Sequence, residues 1–183
     1  MKKKILIGLG IIGVIIIGLV LYVVLIGNKK SPEATANISD RGLDIKVTYC
    51  QPSKRGRVIF GEESSGALQP FGTYWRLGAN AATEITFNKD VNFAGQPVNA
   101  GTYRMYAIPG ADAFTVNLNS EVGVYFAVGE PDPSLDVLSV KAPVTPQSTE
   151  TEMFTIKFST DSVGINMDFV WDKTLFRVPI SVQ

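Results

Sequence analysis

From Leu43 onward, apolar and polar residues alternate with a period of two. Leu43, Ile45, Val47 and Tyr49 fall on one face, and Asp44, Lys46 and Thr48 on the other, as expected of a strand with one buried face. The same alternation places Ile85 and Phe87 opposite Glu84 and Thr86, and Phe114, Val116 and Leu118 opposite Thr115, Asn117 and Asn119. Near the end it predicts three successive strands, marked by Phe154, Ile156 and Phe158, by Ile165, Met167 and Phe169, and by Phe176, Val178, Ile180 and Val182. Pro179 marks the last of these as an edge or bulged strand, because proline cannot donate to a ladder. No stretch in this region holds a helical spacing for three turns.

Turn signals separate the runs at Ala94-Gly95-Gln96-Pro97, Asn99-Ala100-Gly101, Pro109-Gly110-Ala111-Asp112 and Glu130-Pro131-Asp132-Pro133. Their spacing suits an all-β domain, predicted to be an antiparallel β-sandwich, jelly-roll-like, of roughly eight to ten strands over residues 41–183, with a closed barrel as the alternative. No internal repeat is visible.

The beginning of the chain follows a different rule. Residues 5–27 form an apolar run without one charged residue, set between Lys2, Lys3 and Lys4 and the pair Lys29 and Lys30. As a helix it would extend about 35 Å at about 1.5 Å per residue, against a hydrocarbon core of about 30 Å. A single N-terminal transmembrane helix is expected over residues 1–28, followed by a polar linker over 29–40. The run stays bulky to its end at Val23, Val24, Leu25 and Ile26, unlike the small residues of a signal-peptide cleavage site. The lysine balance orients the chain with its C-terminal domain outside the cytoplasm, on the periplasmic or extracellular face. Gly8, Gly10, Gly13 and Gly18 never fall four apart, so no small-residue seam predicts helix pairing. The oligomeric state stays open.

Composition narrows the chemistry. Beyond Lys2, Lys3 and Lys4, 14 cations face 17 anions. A net negative domain is no nucleic-acid binder, because holding phosphate backbones needs a basic face. Cys50 is the only cysteine, so no internal disulfide can form. The chain has no histidine, which removes Ser-His-Asp and Cys-His nucleophile activation and most zinc and non-haem iron sites. No metal and no cofactor is implied. Asn37-Ile38-Ser39 fits a glycosylation sequon by pattern alone.

The alternation breaks down between Tyr49 and Glu84. There Ser53, Lys54, Arg55 and Arg57 gather within a few residues, with Pro52 and Gly56 shaping a loop, and Trp75, Arg76 and Asn80 follow. Guanidinium groups offer paired planar donors to carboxylate, phosphate or sulfate, and an indole face suits a sugar ring. Ser53, Lys54, Arg55, Arg57, Trp75, Arg76, Asn80 and Glu84 are therefore the candidate ligand-binding residues. A solvated loop beside a core tryptophan is the competing reading.

Several ordered blocks carry a family resemblance. They are residues 51–61, Pro70-Phe71-Gly72-Thr73-Tyr74-Trp75-Arg76-Leu77-Gly78-Ala79-Asn80, Thr83-Glu84-Ile85-Thr86-Phe87, and Ala100-Gly101-Thr102-Tyr103 with Ile108-Pro109-Gly110. In these the chain resembles an uncharacterised bacterial exported or envelope family catalogued as domain of unknown function 2911. The resemblance covers nearly the whole region beyond the apolar run. It implies an exported β domain and transfers no substrate, cofactor or catalytic residue. Members usually carry tyrosine where this chain has Phe71.

Three functions remain in play. The first is a membrane-anchored module binding an anionic or carbohydrate envelope ligand. The second is a hydrolase without histidine, using Glu84 with Asp44, Glu62 or Glu63 as paired carboxylates. The third is an envelope scaffold subunit that pairs through an exposed strand edge. A Ser53–Lys54 dyad fails because adjacent residues on an extended chain point to opposite faces. Glu130, Asp132 and Asp136 have oxygen ligands for calcium, but not the glycine-turned acidic loop that would hold it.

Overall fold

The computed structural model describes residues 2–183, apart from the side chains of 2–7, 9 and 23–29. Helix α1 (Lys2–Lys30) is followed at once by strands β1 (Glu33–Asp40) and β2 (Leu43–Cys50). Short strands β3 (Phe60–Gly61) and β4 (Gln69–Pro70) come next, then β5 (Thr83–Phe87), β6 (Val91–Phe93), β7 (Gln96–Val98), β8 (Gly101–Ile108) and β9 (Ala113–Asn119). Two long strands, β10 (Asp136–Thr160) and β11 (Ile165–Val182), finish the chain.

Nine strands form one ladder in the order β1-β2-β5-β8-β9-β10-β11-β6-β7, with every pair in it antiparallel. β10 joins two layers. Its residues 136–143 pair with β9, and its residues 144–160 pair with β11. The ladder thereby folds over itself into a β-sandwich-like domain.

The alternation of β2 now has its cause. Leu43, Ile45 and Val47 are at most 1% exposed, while Asp44 and Lys46 face solvent. They meet Ile85, Phe87, Phe114 and Val116 from the same layer and Phe154, Ile156, Phe169 and Phe176 from the other. Phe176 is stacked between Phe114 and Phe169, with centroids 4.3 and 4.6 Å away. Each such ring removes enough apolar surface to contribute about 2–3 kcal/mol.

Four expectations need correction. Residues 33–40 are not a linker but β1, paired residue for residue with β2 from Glu33–Cys50 to Asp40–Leu43. Small apolar residues Ala34, Ala36 and Ile38 on one face pack against the core, which lets a polar-looking segment join the sheet. The wrapping is not a jelly roll, because β8, β9, β10 and β11 are consecutive neighbours and the length of β10 serves both layers. Residues 165–182 form one strand rather than two. Asp172, with φ of 53°, stands where the register with β10 shifts, and the side chains that enter the hydrophobic core change from odd positions before it to even positions after it. Finally, β11 is no edge strand: Pro179 lies beyond the part paired with β10, and its carbonyl accepts from Ala94 at 2.8 Å.

The expected membrane span stands differently. Within α1 the described side chains are those of Gly8, residues 10–22 and Lys30, and among the described residues no helix is long and apolar enough to cross a membrane. Those side chains are nonetheless open on every side: Ile11, Val14, Ile15, Ile16, Leu19 and Tyr22 are each more than half exposed.

Candidate functional site

Between β2 and β5 the chain leaves the ladder for about thirty residues, and the broken alternation lies there. Pro52 and Ser53 are held to β10 by Phe154 N–H donating to the Pro52 carbonyl and by the Ser53–Met153 bridge. The chain then reverses at Arg55 and Gly56, with φ of 52° and 69°, closed by Arg57 N–H on the Lys54 carbonyl at 3.2 Å. Glycine makes the second of these positions cheap; Arg55 is held by its own N–H on Glu152 Oε1 at 2.9 Å. A second irregular turn runs through Leu77, Gly78 and Asn80, all at positive φ. Gly78 passes so close to β2 that a Cβ there would meet the Cys50 carbonyl at 2.7 Å. Thr83, fully buried, donates to the Leu77 carbonyl at 2.7 Å and fixes this turn.

The two turns face each other across a cleft of about 370 Å³. Ser53, Arg55, Arg57, Arg76, Gly78 and Asn80 line it, with Lys30 and Ser31 from the end of α1 and Trp171 from β11. The Arg57 guanidinium folds back on the carbonyls of Lys54 and Ser53 at 2.9 and 2.6 Å. Arg76 reaches the Asn80 carbonyl at 3.4 Å, and Arg55 the Lys30 carbonyl at 3.5 Å. Each thus keeps donors for something else. No carboxylate lines the cleft, and among the described residues Arg55, Arg57 and Arg76 form no ion pair.

Five of the eight candidates therefore converge: Ser53, Arg55, Arg57, Arg76 and Asn80. Three do not. Lys54 turns away to Glu150 and Asp172, both 2.8 Å from its ammonium, and its hydrogen bonds to Asp172 first and Glu150 second hold its pKa above the ordinary value. Trp75 is a core residue, 2% exposed, with Phe60, Phe154 and Trp171 around it. The indole that borders the cleft is Trp171 instead, itself 1% exposed, with its Nε1 occupied by the Glu152 carbonyl at 3.2 Å. Glu84 accepts from the Gly123 N–H and does not line the cleft. Lys30, Ser31 and Trp171 were missed because they are far away in sequence.

Beside the cleft a buried polar network holds the loop over residues 121–129. Arg104, on β8 and 2% exposed, donates to Glu121 at 2.6 Å, to the Tyr74 hydroxyl at 2.8 Å and to the Gly129 carbonyl at 3.2 Å. Tyr106 donates to Asp136 at 2.7 Å, and Asn119 donates to the other oxygen of the same carboxylate at 2.8 Å. Asp136 is thereby committed, as is Asp132, which accepts from Ser134 N–H; among the described residues no acidic cluster could hold a metal.

Burial, reinforced by the Asp136 carboxylate, pushes the Tyr106 phenol above its ordinary pKa of 10.0, and burial raises Tyr49 and Tyr103 as well. The unfolded chain loses these protons first, so their stabilising effect is complete below pH 10 and fades as pH rises above it. The denaturation midpoint is expected to fall above about pH 10, and Tyr106→Phe to flatten that slope, as read by urea unfolding across pH.

Fold and cleft together define a β-sandwich-like domain with an arginine-lined cleft. The chain belongs to the family described as Protein of unknown function (DUF2911), whose model matches residues 31–180. The match begins where α1 ends and takes in β1 to β11 almost whole. No curated protein and no solved structure matches the chain.

Proposed function

We propose that this protein is a membrane-tethered binding module that receives an anionic envelope ligand in the cleft between Arg55, Arg57 and Arg76. The observation that carries this reading is the convergence of three arginines and Lys30 on one cavity lined by no acid. Like charges repel one another, and their gathering without a counter-ion is unfavourable until an anion joins them. A carbohydrate without charge is the poorer fit, since Trp75 and Trp171 are 2% and 1% exposed and neither offers a stacking face.

The tether is supported by the uncharged run 5–27 and its lysine flanks, which suit a span of about 30 Å. An α-helix apolar on all sides, with its described side chains open on all sides, needs a hydrocarbon environment or a covering protein. The lysine balance and the family resemblance support a domain outside the cytoplasm.

Inorganic pyrophosphate, titrated into the full-length protein in zwitterionic lipid discs, is expected to change the emission of Trp171. Each arginine that supplies charge-assisted bonds contributes about 1.5–3 kcal/mol. Arg55→Ala and Arg76→Ala should each weaken binding by about 10- to 100-fold with no change in melting temperature. Unchanged binding, or collapse of the fold, would make the arginines structural.

A further inference from the structure

The loop over residues 121–129 carries four large, exposed apolar or aromatic side chains. Val122, Tyr125, Phe126 and Val128 are 47%, 52%, 46% and 69% exposed, and the two rings meet edge to face at 4.5 Å. Exposing so many large apolar groups together is unfavourable in water and marks an interaction surface. The tip is held out rather than frayed. Arg104 fastens both ends of the loop through Glu121 and Gly129, and Glu84 holds it near its start at Gly123.

The loop, the cleft and the end of α1 meet at one residue. The Asn80 carbonyl accepts from Ala127 N–H at 3.1 Å and from Arg76 at 3.4 Å, while its side-chain amide donates to the Ser31 carbonyl at 3.4 Å. Ala82 N–H donates to the Val124 carbonyl at 2.9 Å. Only Ser31 and Pro32 separate α1 from β1, so the domain has almost no reach away from the helix end.

Resting on the tether and anion-binding reading above, we infer that this face docks on the bilayer, with the cleft holding the phosphate of an anionic phospholipid headgroup and loop 121–129 entering the interfacial layer. Charge complementarity selects this occupant over another protein surface, because cations and exposed aromatic groups together match a headgroup and the layer beneath it. Val122 and Val128 supply the apolar wedge. Tyr125 has the amphipathic ring favoured at that depth.

The test uses the full chain in lipid discs, with a nitroxide on Val128→Cys; Cys50 is buried and stays unlabelled. In discs containing phosphatidylglycerol the label is expected to lose accessibility to a water-soluble nickel complex and to gain accessibility to oxygen. Adding Arg55→Glu and Arg76→Glu should return it to water. A label that stays in water in anionic discs overturns the docking, and pyrophosphate binding in the same sample would then leave the anion-binding reading standing. Insertion indifferent to the charge reversals removes the cleft from the proposal. A label shielded from both nickel and oxygen means that a second copy covers the loop, which also overturns it. Protein that fails to enter the discs overturns the tether itself.

Discussion

Replacing Trp75 with alanine is expected to destabilise the domain by about 3–5 kcal/mol, measured by chemical unfolding of the full chain followed by circular dichroism. The ring is enclosed by Phe154 at 4.9 Å, Phe60 at 5.2 Å and Trp171 at 5.8 Å, and the last pair is nearly parallel at 23°. The segment cannot easily move to fill the space, because the Trp75 and Ala107 backbones exchange two hydrogen bonds of 2.8 Å. A cavity would remain where the layers meet. Trp75→Phe should be far milder, since it keeps much of the volume and removes a buried indole N–H that has no partner. If Trp75→Ala instead leaves stability within about 1 kcal/mol and abolishes pyrophosphate binding, the ring belongs to the cleft after all.

The second large effect is expected at Arg104. Its truncation to alanine removes a side chain that is 3% exposed, together with its bonds to Glu121, Tyr74 and Gly129, and should cost about 3 kcal/mol. The value is held down because Glu121 is 45% exposed and water can solvate its carboxylate. Arg104→Met separates the contributions, filling the space without donors. A methionine variant as unstable as the alanine one, with faster amide exchange over residues 121–129, assigns the effect to the hydrogen bonds that fasten the loop. Exchange unchanged in both variants would mean the loop holds itself.

The strands easiest to anticipate were those with one wet face and one large apolar face, such as β2 and β5. β8 resisted the same reading because both its faces are covered: Met105 and Ala107 enter the core, while Arg104 and Tyr106 are buried in the polar network behind it. β1 was hidden by its small side chains, since Ala34 and Ala36 weigh little in any hydrophobic pattern. The parity change at Asp172 made one strand look like two. In the candidate site, clustered charge and lost alternation located the loop and most of the charged groups that line the cleft. Which indole bordered it depended on the crossing of β11 under the loop, a relation between residues almost a hundred positions apart that no local pattern contains.

The 25 residues of β10 have a mechanical consequence. Because a single uninterrupted span is shared by both layers, the halves of the domain cannot open like a clamshell without tearing their common seam. Any change of shape at the cleft must therefore be accommodated by the turns at the rim. The body of the domain is held as one piece, and any movement has to be taken up by the segments that border the opening, beginning with the short stem that joins it to the helix.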